Sequence, residues 1–130
     1  MNPSSRPTAI IAEDEPMLAR TLSRLLAEAW PELDVLAIAD DGLKAVELAL
    51  QHTPDVMFLD IKMPGKSGLE VAETVADEWP ETRAEPLFVF VTAFDAYAVS
   101  AFERAAVDYV LKPATAERLK LSVERLKQRL

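Results

Sequence analysis

The stretch VMFLD, residues 56–60, runs four consecutive apolar residues directly into a carboxylate. Short, continuously apolar runs are typical of strands that a parallel sheet buries on both faces. Four other runs are similarly apolar, and helical patterns separate all five; these runs are 9–12, 33–39, 87–91 and 109–111. Five strands that alternate with five helices predict βαβ crossovers. We therefore expect an α/β fold, a three-layer, doubly wound domain around a five-stranded parallel sheet.

Four of the segments between or after these runs repeat apolar residues at helical spacing in one stripe each, whereas the apolar residues of the predicted second helix, about 42–51, cover a wider arc. Pro16 suits a first helical turn, and Trp30-Pro31 and Trp79-Pro80 are typical helix stops. The stripes of four helices comprise Leu18, Leu22, Leu25 and Ala29; Ala72, Val75, Ala76 and Trp79; Ala98, Ala101, Phe102 and Ala105; and Leu119, Val123, Leu126 and Leu130. These side chains form the predicted helical part of the core.

Composition sets further limits on this chain of 130 residues. Hydrophobic residues make up 50% of the chain, which is enough for the core of one compact soluble domain over residues 8–130. Residues 1–7 are polar and Pro-rich, so we expect them to form a flexible arm. The absence of cysteine excludes disulfides and thiolate zinc sites, and a single histidine excludes a His-rich metal cluster. No apolar run is long enough for a membrane span or a signal peptide, so we expect a cytoplasmic protein without a membrane partner.

The charge is unevenly distributed along the chain. Residues 1–111 carry 8 basic and 20 acidic side chains, whereas residues 112–130 carry 6 basic and 2 acidic ones. An acidic body repels nucleic acid phosphates, so the charge disfavours direct DNA binding by this segment. The basic tail is interpreted as one polar helix face.

Polar side chains follow four of the predicted strands at the point where each strand ends. Glu13 and Asp14 follow the first strand, Asp60 the third, Thr92 the fourth and Lys112 the fifth. In an open α/β sheet the carboxyl ends of the strands converge on one crevice, where the strand order reverses. We therefore expect these five residues to be neighbours in the fold.

This set of side chains predicts a site for a phosphoryl group. Three carboxylates held close together repel one another unless a cation joins them, and oxygen ligands with an open coordination sphere suit Mg²⁺. Lys112 adds a positive charge, and Thr92 adds a hydroxyl that can donate to a phosphoryl oxygen. One carboxylate can then serve as the nucleophile, because Asp forms aspartyl-phosphates when its charge is balanced by cations.

Residues 8–130 resemble the response-regulator receiver domains of two-component signalling. The resemblance is carried by four motifs in order along the chain, each at the end of a predicted strand: IIAEDEP at 10–16, FLDIKMPG at 58–65, VTA at 91–93 and DYVLKP at 108–113. It implies a flavodoxin-like sheet with strand order 2-1-3-4-5, and phosphorylation of Asp60 by a histidine kinase. It also implies that Asp14, Asp60 and the main-chain carbonyl of Lys62 bind Mg²⁺, with Mn²⁺ as an alternative, and that Glu13 contacts the ion through water.

The same likeness assigns a second group of residues. It implies that Lys112 pairs with the phosphoryl group, that the peptide between Lys112 and Pro113 is cis, and that Thr92 and Tyr109 form a conformational switch. From the residues alone, Tyr109 fits a plain aromatic strand position about as well. The switch is expected to alter the surface formed by the fourth helix, fifth strand and fifth helix, across which we predict a homodimer when the protein is phosphorylated.

Three positions near the site are informative. Glu13 stands where Asp is commoner in the family, which puts the carboxylate one methylene further out. Lys62 and Phe94 occupy two variable positions that border the site. We expect Phe94 to restrict the approach of water and Lys62 to form an ion pair nearby, so that the aspartyl-phosphate is long-lived.

The output is less well determined by the sequence. Residues 92–109 most resemble receivers that precede a LytTR-type DNA-binding domain, so DNA binding is expected only through a separate C-terminal domain that regulates transcription. A freestanding receiver and a pseudo-receiver that acts only as an interaction module remain alternatives. A phosphatase with an Asp nucleophile is disfavoured. Such enzymes resemble one another in having a second Asp two residues after the nucleophile, and Lys62 occupies that position here. No enzymatic activity is expected beyond self-catalysed transfer to Asp60 and slow autodephosphorylation.

Overall fold

A computed structural model describes residues 6–103 and 105–130, without the side chains of residues 97 and 99. Its five strands form one parallel sheet in the order β2-β1-β3-β4-β5. The strands are β1 (Thr8–Ala12), β2 (Asp34–Ala39), β3 (Val56–Leu59), β4 (Leu87–Thr92) and β5 (Asp108–Leu111). The predicted α/β class, parallel sheet and strand order are thus confirmed.

Five α-helices connect and follow the strands, and a short 3₁₀ turn at Asp95–Tyr97 precedes the fourth. The helices are α1 (Pro16–Ala29), α2 (Gly42–His52), α3 (Gly68–Glu78), α4 (Ala98–Glu103) and α5 (Ala116–Arg129). Pro16 begins α1 as expected, since the first helical position needs no N–H donor. None of the helices within the described residues is long and apolar enough to cross a bilayer.

Two hydrophobic clusters, one on each face of the sheet, establish the three layers. Alternate strand residues enter opposite clusters: Ile10 and Met57 pack with α2, α3 and α4, whereas Ile11 and Phe58 pack with α1 and α5. This alternation follows from the two-residue period of a strand. The central strands are therefore buried on both faces, as their apolar composition predicts.

The edge strand β2 departs from that prediction. Leu36 and Ile38 are 37% and 43% exposed, although both lie in a continuously apolar run. Only one neighbour, β1, pairs with this strand within the described part of the chain. An edge strand extends beyond the helices that cover the sheet, so its apolar composition does not guarantee burial on both faces.

Two helical stripes are also shifted from their predicted positions. In α1, Leu18 is exposed and Ala19 takes the buried position. The short helix α4 ends at Glu103, leaves Phe102 exposed and is followed by Ala105 with φ 61°. Both helices contain more apolar residues than one helix face can bury, so packing against the sheet decides which of them are buried.

The predicted N-terminal arm lies outside the described residues for positions 1–5. Arg6 donates hydrogen bonds to the carbonyls of Pro31 and Glu32, at 3.0 and 2.9 Å. The carbonyl of Pro7 accepts a bond from the N–H of Asp34. These contacts attach residues 6 and 7 to the segment that leads into β2.

Candidate functional site

The carboxyl ends of β1, β3 and β5 meet through one ammonium group. The Nζ of Lys112 donates hydrogen bonds to the carboxylate of Glu13 and to Oδ2 of Asp60, the latter at 2.8 Å. These three residues are separated by up to 99 positions in the sequence. The parallel sheet therefore brings the predicted acids and the predicted lysine into one crevice.

The acid cluster can accept a divalent cation. One carboxylate oxygen from each of Glu13, Asp14 and Asp60 lies within 4.8 Å of the others. Three carboxylates against the single ammonium of Lys112 leave a net charge of about −2 when all are ionised, which a divalent ion balances. Asp14 is exposed while the other two acids are buried, so the cluster is open on one side. All donors are carboxylate oxygens, and such hard ligands suit Mg²⁺.

Glu13 is fixed by its own backbone and by its neighbours. Its N–H donates to the carbonyl of Ala39, and its carboxylate also accepts a bond from the N–H of Glu15 at 3.2 Å. Burial raises the pKa of the Glu13 carboxyl above its ordinary value, although the hydrogen bond from Lys112 opposes this. The additional methylene, compared with Asp, does not keep this carboxylate from contacting Lys112.

Lys112 is held in its charged form. Burial alone would lower its pKa, but the hydrogen bonds to Asp60 and Glu13 outweigh burial and raise the pKa above the ordinary value. Its main-chain N–H donates to the carbonyl of Thr92, and the peptide to Pro113 is cis, as the resemblance implied.

Asp60 lies at the bottom of the crevice with both carboxylate oxygens engaged. Oδ1 accepts a bond from the N–H of Ile61 at 2.6 Å, and Oδ2 accepts the bond from Lys112. The N–H of Asp60 donates to the carbonyl of Ala12 at the end of β1. The backbone thus orients this carboxylate toward the crevice.

Two glycines that the sequence analysis did not use shape the loop after Asp60. A Cβ on Gly68 would lie 2.0 Å from the carbonyl oxygen of Asp60, and a Cβ on Gly42 would lie 2.1 Å from that of Lys66. Their N–H groups donate to the carbonyls of Ile61 and Pro64, respectively. Each glycine is the first residue of a helix and directly follows the residue that caps that helix. Glycine is commoner just past the C-terminal end of a helix than at its start. That unusual position is the signal in the sequence that could have identified them.

Thr92 and Tyr109 meet at the backbone of Phe94. The hydroxyl of buried Thr92 accepts a long bond from the N–H of Phe94 at 3.4 Å, and the Tyr109 hydroxyl donates to the Phe94 carbonyl. The ring of Tyr109 is buried, with its centroid 6.3 Å from that of Phe90. One peptide segment therefore connects the two residues of the expected switch.

Lys62 and Phe94 contact each other at the rim of the crevice. The Nζ of Lys62 lies 4.6 Å from the centroid of the Phe94 ring, within the range of a cation–π interaction. Within residues 6–103 and 105–130, this contact takes the place of the expected ion pair of Lys62 with a nearby acid.

Because Asp108 directly precedes an apolar run, its position in the sequence predicts a loop residue away from the site, but in the structure it belongs to a strand. It is the first residue of β5 and is 1% exposed. Burial opposes its ionised form, but hydrogen bonds from Arg118, Ser122 and the N–H of Tyr109 outweigh burial and lower its pKa to about 2. Arg118 and Ser122 come from α5, so the local pattern around Asp108 could not reveal these two partners.

Comparison with known proteins identifies the family. The family model described as "Response regulator receiver domain" matches residues 9–124. The chain therefore belongs to the receiver domains, the phosphoacceptor switches of response regulators.

Several relatives and one solved structure illustrate the similarity. An uncharacterized response regulatory protein of Vibrio cholerae is 50% identical over 95% of this chain and 46% of its own length. The transcriptional regulatory protein BtsR of Escherichia coli is 40% identical over 92% of this chain and 47% of its own. The sensory transduction protein LytT of Oceanobacillus iheyensis is 37% identical over 93% of this chain and 48% of its own length. The response regulatory domain of mrkE from Klebsiella pneumoniae has a TM-score of 0.84 at 31% identity, covering 94% of this chain and 96% of its own. The chain thus spans about half the length of the curated relatives that it matches.

Proposed function

We propose that Asp60 accepts a phosphoryl group from a histidine kinase and that the other residues of the crevice assist this transfer. The observation that carries the proposal is the ammonium of Lys112, which binds the Asp60 carboxylate at 2.8 Å and the Glu13 carboxylate at the same time. A buried carboxylate beside a fixed cation can take up a phosphoryl group without a large build-up of charge.

In the proposed step, a carboxylate oxygen of Asp60 forms a bond to phosphorus. The bond between phosphorus and the histidine nitrogen of the kinase breaks, and its electron pair stays on that nitrogen. Lys112 pairs with the phosphoryl oxygens. The Thr92 hydroxyl, which accepts a hydrogen bond from the N–H of Phe94 in this structure, turns to donate a hydrogen bond to one of these oxygens. Such a step depends mainly on positioning and on charge stabilisation, which this crevice provides.

The acid cluster supports a Mg²⁺ site in the same crevice. We assign Asp14, Asp60 and the main-chain carbonyl of Lys62 as ligands, with Glu13 in contact through water and Mn²⁺ as an alternative ion. The ion supplies charge neutralisation for the transferring phosphoryl group. The support from this chain is the charge balance and the 4.8 Å spacing of the three carboxylates.

We further propose that Thr92 and Tyr109 convert phosphorylation into a change of surface. A shift from 1:99 to 99:1 between two states needs about 5.5 kcal/mol. Hydrogen bonds to charged groups contribute about 1.5–3 kcal/mol each, so new bonds from Thr92 and Lys112 to a phosphoryl group supply most of this amount. The Tyr109 ring is already buried in this structure. In our proposal, phosphorylation raises the population of this inward position of the ring, and the surface changes with that population.

The output surface in this proposal is formed by α4, β5 and α5. Three large apolar side chains on these elements are exposed, Phe102 (53%), Leu111 (48%) and Leu121 (49%). Exposed apolar side chains on adjoining elements favour a protein contact. We propose a homodimer of the phosphorylated form through this surface.

The names and lengths of the relatives support a proposal about the output. BtsR is named a transcriptional regulatory protein, and this chain covers about half of its length. We propose that the chain regulates transcription through a separate C-terminal DNA-binding domain, in the cytoplasm, where a kinase can phosphorylate it. Beyond transfer to Asp60 and slow loss of the phosphoryl group, the proposal includes no enzymatic activity.

Intact-mass measurement after incubation with acetyl phosphate and Mg²⁺ tests the acceptor. We expect a single phosphoryl adduct on the wild type, none on Asp60→Ala, and the wild-type adduct on Asp77→Asn, an exposed acid of α3. An adduct that persists in Asp60→Ala would refute the assignment. Multiple turnover of a phosphomonoester would instead favour a phosphatase.

A further inference from the structure

A buried carboxylate joins the first residue of β5 to the middle of α5. Asp108 accepts hydrogen bonds from both terminal nitrogens of Arg118, at 2.8 and 2.7 Å, and from Nη1 of Arg125 at 2.8 Å. It also accepts bonds from the Ser122 hydroxyl and from the N–H of Tyr109, the latter at 2.8 Å. One carboxylate therefore connects three side chains of α5 with the backbone of β5.

Arg118 differs from Arg125 because it also reaches Tyr109. Its Nη2 donates to the main-chain carbonyl of Tyr109 at 3.3 Å, while the carboxylate that it binds accepts the Tyr109 N–H. The strand β5 is the last of the sheet, so peptide groups that point away from β4 have no strand partner there. For Tyr109, side-chain bonds to Asp108 and Arg118 replace those of a further strand.

These bonds extend from the crevice to the surface helix. Thr92 accepts the N–H of Phe94, the Phe94 carbonyl accepts the Tyr109 hydroxyl, and the Tyr109 backbone is held by Arg118. Apolar packing of Val110 joins β5 to α5, but the backbone of Tyr109 itself is bonded to the helix through polar side chains. The Asp108–Arg118 pair makes that attachment.

We propose that Arg118 is a positioning residue for Tyr109, which fixes the tyrosine backbone to α5 and transmits its position to the surface of α4, β5 and α5. The inference rests on the proposed function for its consequence in signalling. The attachment itself is a property of the unphosphorylated protein.

Fluorine NMR of 3-fluorotyrosine tests the attachment directly. In a Tyr97→Phe background, Tyr109 supplies the only tyrosine resonance. We expect one buried line in the otherwise unmodified chain, and a shifted or exchange-broadened line in Arg118→Ala. Arg125→Ala is the matched control, because Arg125 binds the same carboxylate and has no bond to Tyr109 among the contacts described here. Identical spectra for the two arginine variants would overturn the proposal.

Hydrogen exchange of the α5 amides tests transmission. With beryllofluoride and Mg²⁺ as the phosphoryl analogue, we expect Arg118→Ala to reduce the change in α5 exchange by about tenfold, within the range of ordinary coupling energies. The rate of adduct formation from acetyl phosphate should stay as in the wild type. A full α5 response in Arg118→Ala would overturn the proposal.

Arg118→Lys separates positioning from charge alone and also serves if the alanine variant does not fold. Lysine keeps the positive charge but cannot form a bidentate bond to Asp108 while also reaching the Tyr109 carbonyl. We expect it to behave as the alanine variant does in both measurements, and full rescue by lysine would refute the proposal. If the wild type takes up no phosphoryl group, the proposed function fails, while the fluorine spectra of the unphosphorylated variants still decide the role of Arg118.

Discussion

Phe94 has two separate roles because its backbone and its ring face different groups. Its N–H and carbonyl bond to Thr92 and Tyr109, whereas its ring lies against the ammonium of Lys62. The backbone bonds do not depend on the side chain, so a substitution at this position can remove the ring and keep the connection. We predict that the ring, two residues past Thr92 in the chain, restricts the approach of water to a phosphorylated Asp60.

Phe94→Ala should shorten the lifetime of the aspartyl-phosphate. Loss of a partly exposed cation–π contact costs about 0.5–1 kcal/mol, so we expect hydrolysis to accelerate about two- to fivefold. The decay of the phosphoryl adduct, followed by intact mass, measures this rate. Phe102→Ala, which removes an exposed ring from α4, is the control. An unchanged lifetime in Phe94→Ala would show that the ring does not exclude water.

Gly68→Ala should destabilise the protein. The new Cβ would lie 2.0 Å from the carbonyl oxygen of Asp60, so the loop or the start of α3 must move. Overpacking of this kind costs about 1–3 kcal/mol. The urea midpoint measures the loss, and Glu78→Ala, an exposed position in the same helix, is the control. Equal midpoints for the two variants would contradict the close approach.

At the scale of elements, β5 and α5 are joined by charge as well as by apolar packing. Val110 packs with Leu119, Val123 and Leu126, while Asp108 binds the polar side of the same helix. The apolar contacts are insensitive to pH, but the bonds to Asp108 require its ionised form. The pairing of these two elements is therefore the part of the fold that should respond to acid.

The stabilisation by Asp108 should disappear between about pH 4 and pH 2. Its pKa falls from 3.8 to about 2 on folding, so its contribution is complete above the higher value and is lost as the pH falls through the lower one. A shift of this size corresponds to about 2 kcal/mol. In urea unfolding, we expect the free energy of unfolding of the wild type to exceed that of Asp108→Asn by at least this amount at pH 7. We expect this difference to become smaller as the pH falls. A difference that stays constant from pH 7 to pH 2 would contradict this prediction. The control variant Asp77→Asn should have the free energy of unfolding of the wild type at each pH.

At the scale of the whole molecule, the two edges of the sheet differ. The β2 edge exposes Leu36 and Ile38, and β2 carries none of the predicted site residues. The β5 edge exposes Leu111 and is connected to the crevice through Tyr109. Only a surface whose shape depends on the crevice can report phosphorylation, so the β5 edge is the one on which regulated association is expected.

Sedimentation with beryllofluoride and Mg²⁺ should detect a dimer that is weaker or absent in the unloaded protein. Leu111→Glu should weaken the loaded dimer at least tenfold, because a charge desolvated in an apolar contact costs more than about 1.4 kcal/mol. Leu36→Glu, an equivalent change at the opposite edge, should leave association unchanged. Loaded protein that stays monomeric at high concentration would refute the dimer.

Much of the fold and the grouping of the site residues could be predicted, because both depend on short-range patterns. Apolar runs located the strands, and the residue after each run located Asp60, Thr92 and Lys112. The contacts of Asp108 with α5 could not be predicted, because they depend on which face of α5 packs against β5. The helix-start positions of Gly42 and Gly68 are visible in the sequence, but the backbone that each glycine contacts is set by the fold. The exposure of Leu36 depends on its strand being at an edge, which composition does not encode.

The sequence by itself determined the order of strands and helices, the chemistry of the acids, hydroxyl and ammonium, and the family. Periodicity and residue type are local properties, so a single chain displays them without its fold. Only the tertiary structure decided that Lys112 bonds to both Glu13 and Asp60, that the Tyr109 hydroxyl bonds to the Phe94 carbonyl, and that Arg118 holds the Tyr109 backbone. Those contacts depend on sheet register and helix rotation, which are set by packing across the whole molecule.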